Sequence, residues 1–179
     1  MINKRNFGFS LYYFFFFSFV AVFMPFFSLY LSYLNFSYIQ IGFLISIGSV
    51  IKVFCPYFLG RFADLRGNGV NILFFLSFIL FILFFFTYFN LGFIEYVIFL
   101  LFFQFFCSGI MPIVESETLK FLNEKKNFYG LIRLWGSIGF MITVFIAGFI
   151  IDIYSIKIFL ILVHLPLFLL LISSLMLIK

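Results

Sequence analysis

Apolar residues run along this chain in six blocks of roughly 20 positions, separated by short clusters of charged residues, glycine, asparagine or serine. The blocks extend approximately over 9–33, 41–60, 70–89, 93–114, 132–151 and 156–178. Each is long enough for a helix to cross a hydrocarbon core of about 30 Å. None shows the period-two alternation over about ten residues that marks a membrane barrel strand. A helix is the other structure that satisfies every backbone group in lipid. The pattern therefore predicts an all-α, polytopic membrane protein with six transmembrane helices, forming one membrane domain over 1–179. The short connections predict antiparallel, packed neighbours in a compact bundle. The exception is the charged segment 116–131, which extends the fourth and fifth helices beyond the bilayer.

Composition sharpens this reading. Hydrophobic residues make up 66% of the chain and charged ones 9%, outside the range of soluble domains. The net charge of +5 follows from topology. Lys4, Arg5, Arg61, Arg66, Lys120, Lys125, Lys126, Arg133 and Lys179 fall on one side of a six-span arrangement, and Lys157 alone falls opposite. Cytoplasmic loops hold the excess of Lys and Arg, so both termini are expected in the cytoplasm. The basic residues then meet anionic lipid, and no nucleic-acid partner is expected. Lys4 and Arg5 precede an apolar run too long for a signal peptide, with no small-residue cleavage site, so this run reads as a retained first span. Cys55 and Cys107 lie in predicted spans, where a free thiol packs as a small apolar group. Phe occurs 36 times and in every span, so abundance singles out no ring.

Glu115 and Arg133 are the polar residues that stand out, one closing the fourth apolar block and the other opening the fifth. A lone charge costs about 2.5–3.5 kcal/mol at a helix centre on insertion scales, so such groups find partners or polar ligands. The two either form part of a solute site, or pair only to hold helices together, or snorkel to the interface. Lys52 is expected to be buried mid-span, as a contact for an anionic solute or a partner for Glu115. Pro25 and Pro56 should kink or loosen their helices. Gly42, Ser46, Ser49, Gly136, Gly139 and Gly148 are spaced for close helix approach. His164 relays protons or simply packs. Ser49 and Lys52 spell S-x-x-K without any supporting oxyanion element, so no enzyme is expected. Asn35-Phe36-Ser37 is a glycosylation sequon of low specificity.

The loop GRFADLRGNG, from Gly60 to Gly69, places Gly60 at a helix end, Asp64 four residues on, then Arg66 and the turn glycine Gly67. It resembles the cytoplasmic signature loop of the major facilitator superfamily, although Leu65, Asn68 and Gly69 stand where that pattern prefers basic residues. The resemblance implies a conformational-switch loop in which Asp64 latches onto a neighbouring helix end. Pro112, Glu115, Phe128, Gly130, Arg133, Gly136 and Gly139 resemble the join of helices four and five in the lactose permease-like branch. The wording from Tyr129 to Phe140 is similar to phenylpropionate permeases and their nucleoside and sugar symporter relatives. Together these resemblances cover essentially the whole chain, as the N-terminal six-helix half of such a transporter.

In that branch the matching Glu and Arg bind the solute, and a Trp at the position of Phe140 stacks on it. The resemblance thus implies substrate binding by Glu115, Arg133, Phe140 and Lys52. It implies a proton symporter of the bacterial cytoplasmic membrane, carrying an aromatic acid, a nucleoside or a sugar by alternating access. Beyond the proton as coupling ion, no cofactor or metal is expected. Partners are the solute, the bilayer, and either a separate C-terminal half or a second copy of the chain. The half length is expected to reflect a truncated gene, a split transporter or a half that dimerises. The competing expectation is a non-transporting membrane protein, either a relic or a helix bundle that binds partners.

Overall fold

Six helices long and apolar enough to cross a membrane account for nearly all of the described residues. The computed structural model describes residues 4–89 and 91–178, with 4, 5, 62–64, 66 and 124–126 described by backbone alone. In chain order the helices are α1 (Lys4–Tyr33), α2 (Tyr38–Arg66), α3 (Gly69–Phe85), α4 (Phe93–Leu122), α5 (Tyr129–Tyr154) and α6 (Phe159–Leu175). Short 3₁₀ turns follow α3, α4 and α5, at Phe86–Tyr88, Asn123–Phe128 and Ile156–Ile158. Helical structure is continuous through Pro25 and Pro56, and also through Pro112 and Pro166.

The ends of these helices have local causes. Ser37 and Gln40 form a reciprocal capping box at the start of α2: the Ser37 amide donates to Gln40 Oε1 at 2.9 Å, and the Gln40 amide to Ser37 Oγ at 3.3 Å. The serine of the sequon is thus a helix cap. Asn68 caps α3 by accepting from the Asn71 amide at 3.4 Å. Between α2 and α3, Gly67 takes φ +64°, a left-handed turn that glycine adopts without Cβ strain. Gly60, expected at a helix end, instead lies inside α2, which runs on to Arg66. Its φ is not left-handed, so nothing in its backbone stops the helix.

Of the helices that follow one another in the chain, α3 and α4 pack extensively as expected, while α1 with α2, α2 with α3 and α4 with α5 touch little, because a short loop fixes the direction of the next helix and not its contact. The extensive contacts are α1 with α5 and α6, α4 with α2 and α3, and α3 with α6. Two of these pairs run parallel, since contacting residue numbers rise together. Phe14 meets Gly139 and Ser18 meets Thr143 on α1 and α5, while Gly48 meets Gln104 and Leu59 meets Gly109 on α2 and α4.

Glycine decides how close these pairs come. A methyl group at Gly139 would lie 2.5 Å from the Phe14 carbonyl oxygen, and one at Gly136 would lie 2.5 Å from the Phe17 ring. Ser18 donates to the Gly139 carbonyl at 3.4 Å and accepts from Thr143 at 2.9 Å, fastening the same contact. Gly42 and Gly148 play no such part, because a side chain at either would meet open space or an ordinary contact.

The core lies between α1, α3, α4 and α6 and is built largely from aromatic rings. Phe103, fully buried, touches Phe19 and Phe23 of α1, Phe84 of α3 and Phe99 of α4, at centroid distances of 5.8, 5.4, 5.9 and 5.1 Å. Tyr12 and Ser77 share a hydrogen bond of 3.0 Å between α1 and α3. Gly8 lies against Met176 and Leu177, which brings the two ends of the chain to one end of the bundle. Tyr30 stacks on Phe159 at 4.8 Å at the other end. Helices α2 and α5 stay on the outside: 17% of the apolar stretch of each is buried, against 39–56% for the other four.

Candidate functional site

Three helices bring polar side chains together at the end of the bundle where the chain begins and ends. Glu115, on the last two turns of α4, accepts from Arg133, on the second turn of α5, with Oε1 to Nη1 at 3.2 Å. The same Nη1 donates to the Tyr129 hydroxyl at 3.2 Å. Tyr129 precedes Arg133 by four residues and shares its helix face, which is why it can reach back to the guanidinium. The side chains remain 50% and 34% exposed at Arg133 and Glu115, so the pair is open and accessible. An exposed pair of this kind contributes about 0–1 kcal/mol to stability in water, too little to explain two charges in an apolar segment by fastening alone.

Tyr13 of α1 completes the cluster. Its side chain is fully buried, and its hydroxyl faces Thr118, Tyr129 and Glu115 without a close, well-aligned hydrogen bond to any of them. Thr118 directs its own hydroxyl to the Val114 carbonyl at 2.6 Å. A buried hydroxyl without a close hydrogen bond is poorly satisfied, so one beside an open ion pair marks a place where a ligand atom would be stabilising.

Phe140 and Lys52 are the other residues expected at the site. Phe140 lies about two turns beyond Arg133 on the same uncovered side of α5, 36% exposed and with no aromatic partner among the described residues. Lys52 is exposed within this unit, where burial was expected, because the outer face of α2 has no helix against it. Lys52 lines a cavity of about 110 Å³ between α1, α2 and α4, together with Ser28, Ser49 and Gln104. It does not pair with Glu115, which is held by Arg133.

The loop between α2 and α3 keeps its turn at Gly67. The side chains of Asp64 and Arg66 lie outside the described residues. What the structure adds is Glu117 of α4, whose carboxylate rests on the first residue of α3: a methyl group at Gly69 would lie 2.6 Å from Glu117 Oε1. A carboxylate at a helix N-terminus is favoured by the helix dipole. Glu117 also accepts from Lys120 at 3.0 Å.

His164 belongs to a different part of the molecule. Phe81, Phe84, Phe85 and Tyr88 surround its ring at 4.3–5.2 Å, and the Phe81 backbone is its polar neighbour. That geometry favours packing over a proton relay, since aromatic rings enclose the imidazole.

Comparison with known proteins agrees with this architecture. The model of a family described as MFS_1 like matches residues 7–179. The "Uncharacterized transporter YwbF" of Bacillus subtilis (strain 168) is 30% identical over 109 residues, covering 61% of this chain and 27% of that protein. The chain therefore spans little more than a quarter of the relative it matches. No solved structure matches it.

Proposed function

The chain belongs to the MFS_1 like family, and from that premise we propose that its six helices form one half of a secondary active transporter for a small organic solute. The observation that carries the reading is the Glu115–Arg133 pair, half-exposed and backed by the buried Tyr13 hydroxyl. Facilitator transporters bind solute between two six-helix halves and expose it alternately by rocking one half against the other. The apolar outer faces of α2 and α5 suit a second half, supplied by a further segment, a separate chain or another copy.

At such a site the guanidinium offers a rigid fork of donors while the carboxylate accepts from hydroxyls, which suits an aromatic acid, a nucleoside or a sugar. Phe140 supplies an apolar surface on the same side of α5. Proton coupling belongs to the complete transporter. Both termini face the cytoplasm of a bacterial cell in this reading, because the basic residues gather at their end.

Uptake tests it. Cells producing this chain with a complementary six-helix half are given a labelled aromatic acid, nucleoside and disaccharide in turn. Accumulation of one of them should require both halves, and Arg133→Ala should lower it at least tenfold at an unchanged amount of protein in the membrane. Uptake that survives Arg133→Ala removes the site, and no uptake in any pairing favours a non-transporting helix bundle.

A further inference from the structure

The cavity that holds Lys52 gathers polar side chains from three helices that make no hydrogen bond or ion pair among the described residues. Lys52 has no carboxylate within ion-pair distance among the described residues; Glu115 and Glu117 are each held by another cation. Gln104, only 8% exposed, presses its amide against Gly48, where a methyl group would lie 3.0 Å from Nε2. That amide makes no hydrogen bond among the described residues. Serines elsewhere in the bundle satisfy themselves: Ser46, Ser108 and Ser173 each donate to a carbonyl one turn back at 2.7–2.8 Å. Ser28 and Ser49, which line the cavity, have no such bond. Four polar side chains from three helices thus line one space without a hydrogen bond among the described residues, and Lys52 and Ser49 stay exposed to whatever enters it.

The charge of this space selects its occupant. A lone ammonium in a spanning segment calls for an anion, and the amide and two hydroxyls can donate to the oxygens of a carboxylate. The remaining wall is apolar. Phe23 and Phe27 stack at 4.7 Å along its edge, with Leu44 and Leu100 beside them. A polar floor under an aromatic wall suits a carboxylate on an aromatic body and gives no advantage to an uncharged sugar.

We propose that the Lys52 cavity is an anion subsite that holds the carboxylate of an aromatic acid, with Lys52 as counter-charge and Gln104 as hydrogen-bond donor. This rests on the transporter reading and narrows its solute from three classes to one.

The test uses the full chain in nanodiscs of zwitterionic lipid, with labelled benzoate and its uncharged isostere benzamide as probes in equilibrium dialysis. Wild-type protein should bind benzoate at least tenfold more tightly than benzamide. Lys52→Gln should erase that preference, Lys52→Arg should keep most of it, and Gln104→Leu should weaken benzoate several-fold in protein that remains monodisperse. Equal binding of the two probes, no benzoate binding, or a preference that survives Lys52→Gln overturns the subsite.

Uptake measurements separate this failure from that of the transporter itself. Arg133-dependent uptake untouched by Lys52→Gln sinks the subsite and leaves the transporter. Lys52-dependent benzoate binding with no uptake in any pairing does the reverse.

Discussion

Arg133 is held from two directions, by Glu115 across the helix interface and by Tyr129 along its own helix, both at 3.2 Å. Tyr129→Phe removes one of these bonds while keeping the ring. We expect it to cost little in stability, about 0.5–1.5 kcal/mol, and to weaken solute binding by letting the guanidinium swing. Thermal unfolding in detergent and solute affinity, measured on the same preparation, report the two effects separately. Tyr13→Phe should behave differently. It removes a buried hydroxyl that makes no close hydrogen bond, so the empty protein should change in stability by less than about 1 kcal/mol, while solute uptake with a complementary half falls. A variant that loses more stability than this, or that transports as well as wild type, shows that the hydroxyl does not serve the solute. Of this cluster, Glu115 and Arg133 were legible in the sequence because a charge at the edge of an apolar run is conspicuous. Tyr129 was within reach, four residues before Arg133. Tyr13 was not, since it stands in a run of Tyr and Phe whose members differ only in where the fold points them.

Glycines divide the helices into those that touch and those that do not. Gly139→Ala places a methyl group 2.5 Å from the Phe14 carbonyl, and backbone cannot yield as a side chain can. The variant should lose about 1–3 kcal/mol through separation of α1 from α5, read as a lower unfolding temperature in detergent. Gly42→Ala and Gly60→Ala meet nothing within 4 Å and should be neutral or gain up to about 1 kcal/mol. All three glycines look alike in the sequence. Gly60 in particular reads as a helix end, yet α2 continues through it because no left-handed φ is required there. Ser37 is the reverse case: in the sequence it reads only as part of a sequon, and the structure shows it closing a capping box with Gln40, so Ser37→Ala should cost α2 about 0.5–2 kcal/mol.

At the scale of the whole molecule, the uncovered faces of α2 and α5 carry the consequence for assembly. Phe145 of α5 is 78% exposed and Phe75 of α3 59% exposed, so both cysteine variants, made in a chain whose Cys55 and Cys107 are replaced by Ser, should react with a lipid-soluble maleimide when this chain is alone. With a complementary half present, Phe145→Cys should become protected and Phe75→Cys should stay reactive, as judged by gel shift. Equal protection of both would mean that the second half docks elsewhere. Inside the bundle, Phe103 joins rings from three helices. Its replacement by Ala should cost less than the roughly 3–5 kcal/mol of a soluble core, because helices separated in lipid lose ring contacts but gain no exposure to water.

Length and apolarity alone determined that this chain is helical and has six segments able to span a membrane, since lipid offers the backbone no other solvent. The charges, apart from Lys52, likewise stand in the sequence at loops and segment ends. Only tertiary structure decided which faces meet. Apolar residues surround each helix on every side, so no period in the sequence marks the buried stripe. The parallel pairing of α1 with α5 and α2 with α4, the separation of Lys52 from Glu115, and the unpaired polar groups around Gln104 all follow from where backbones approach closely, a distance set by residues far apart in the chain.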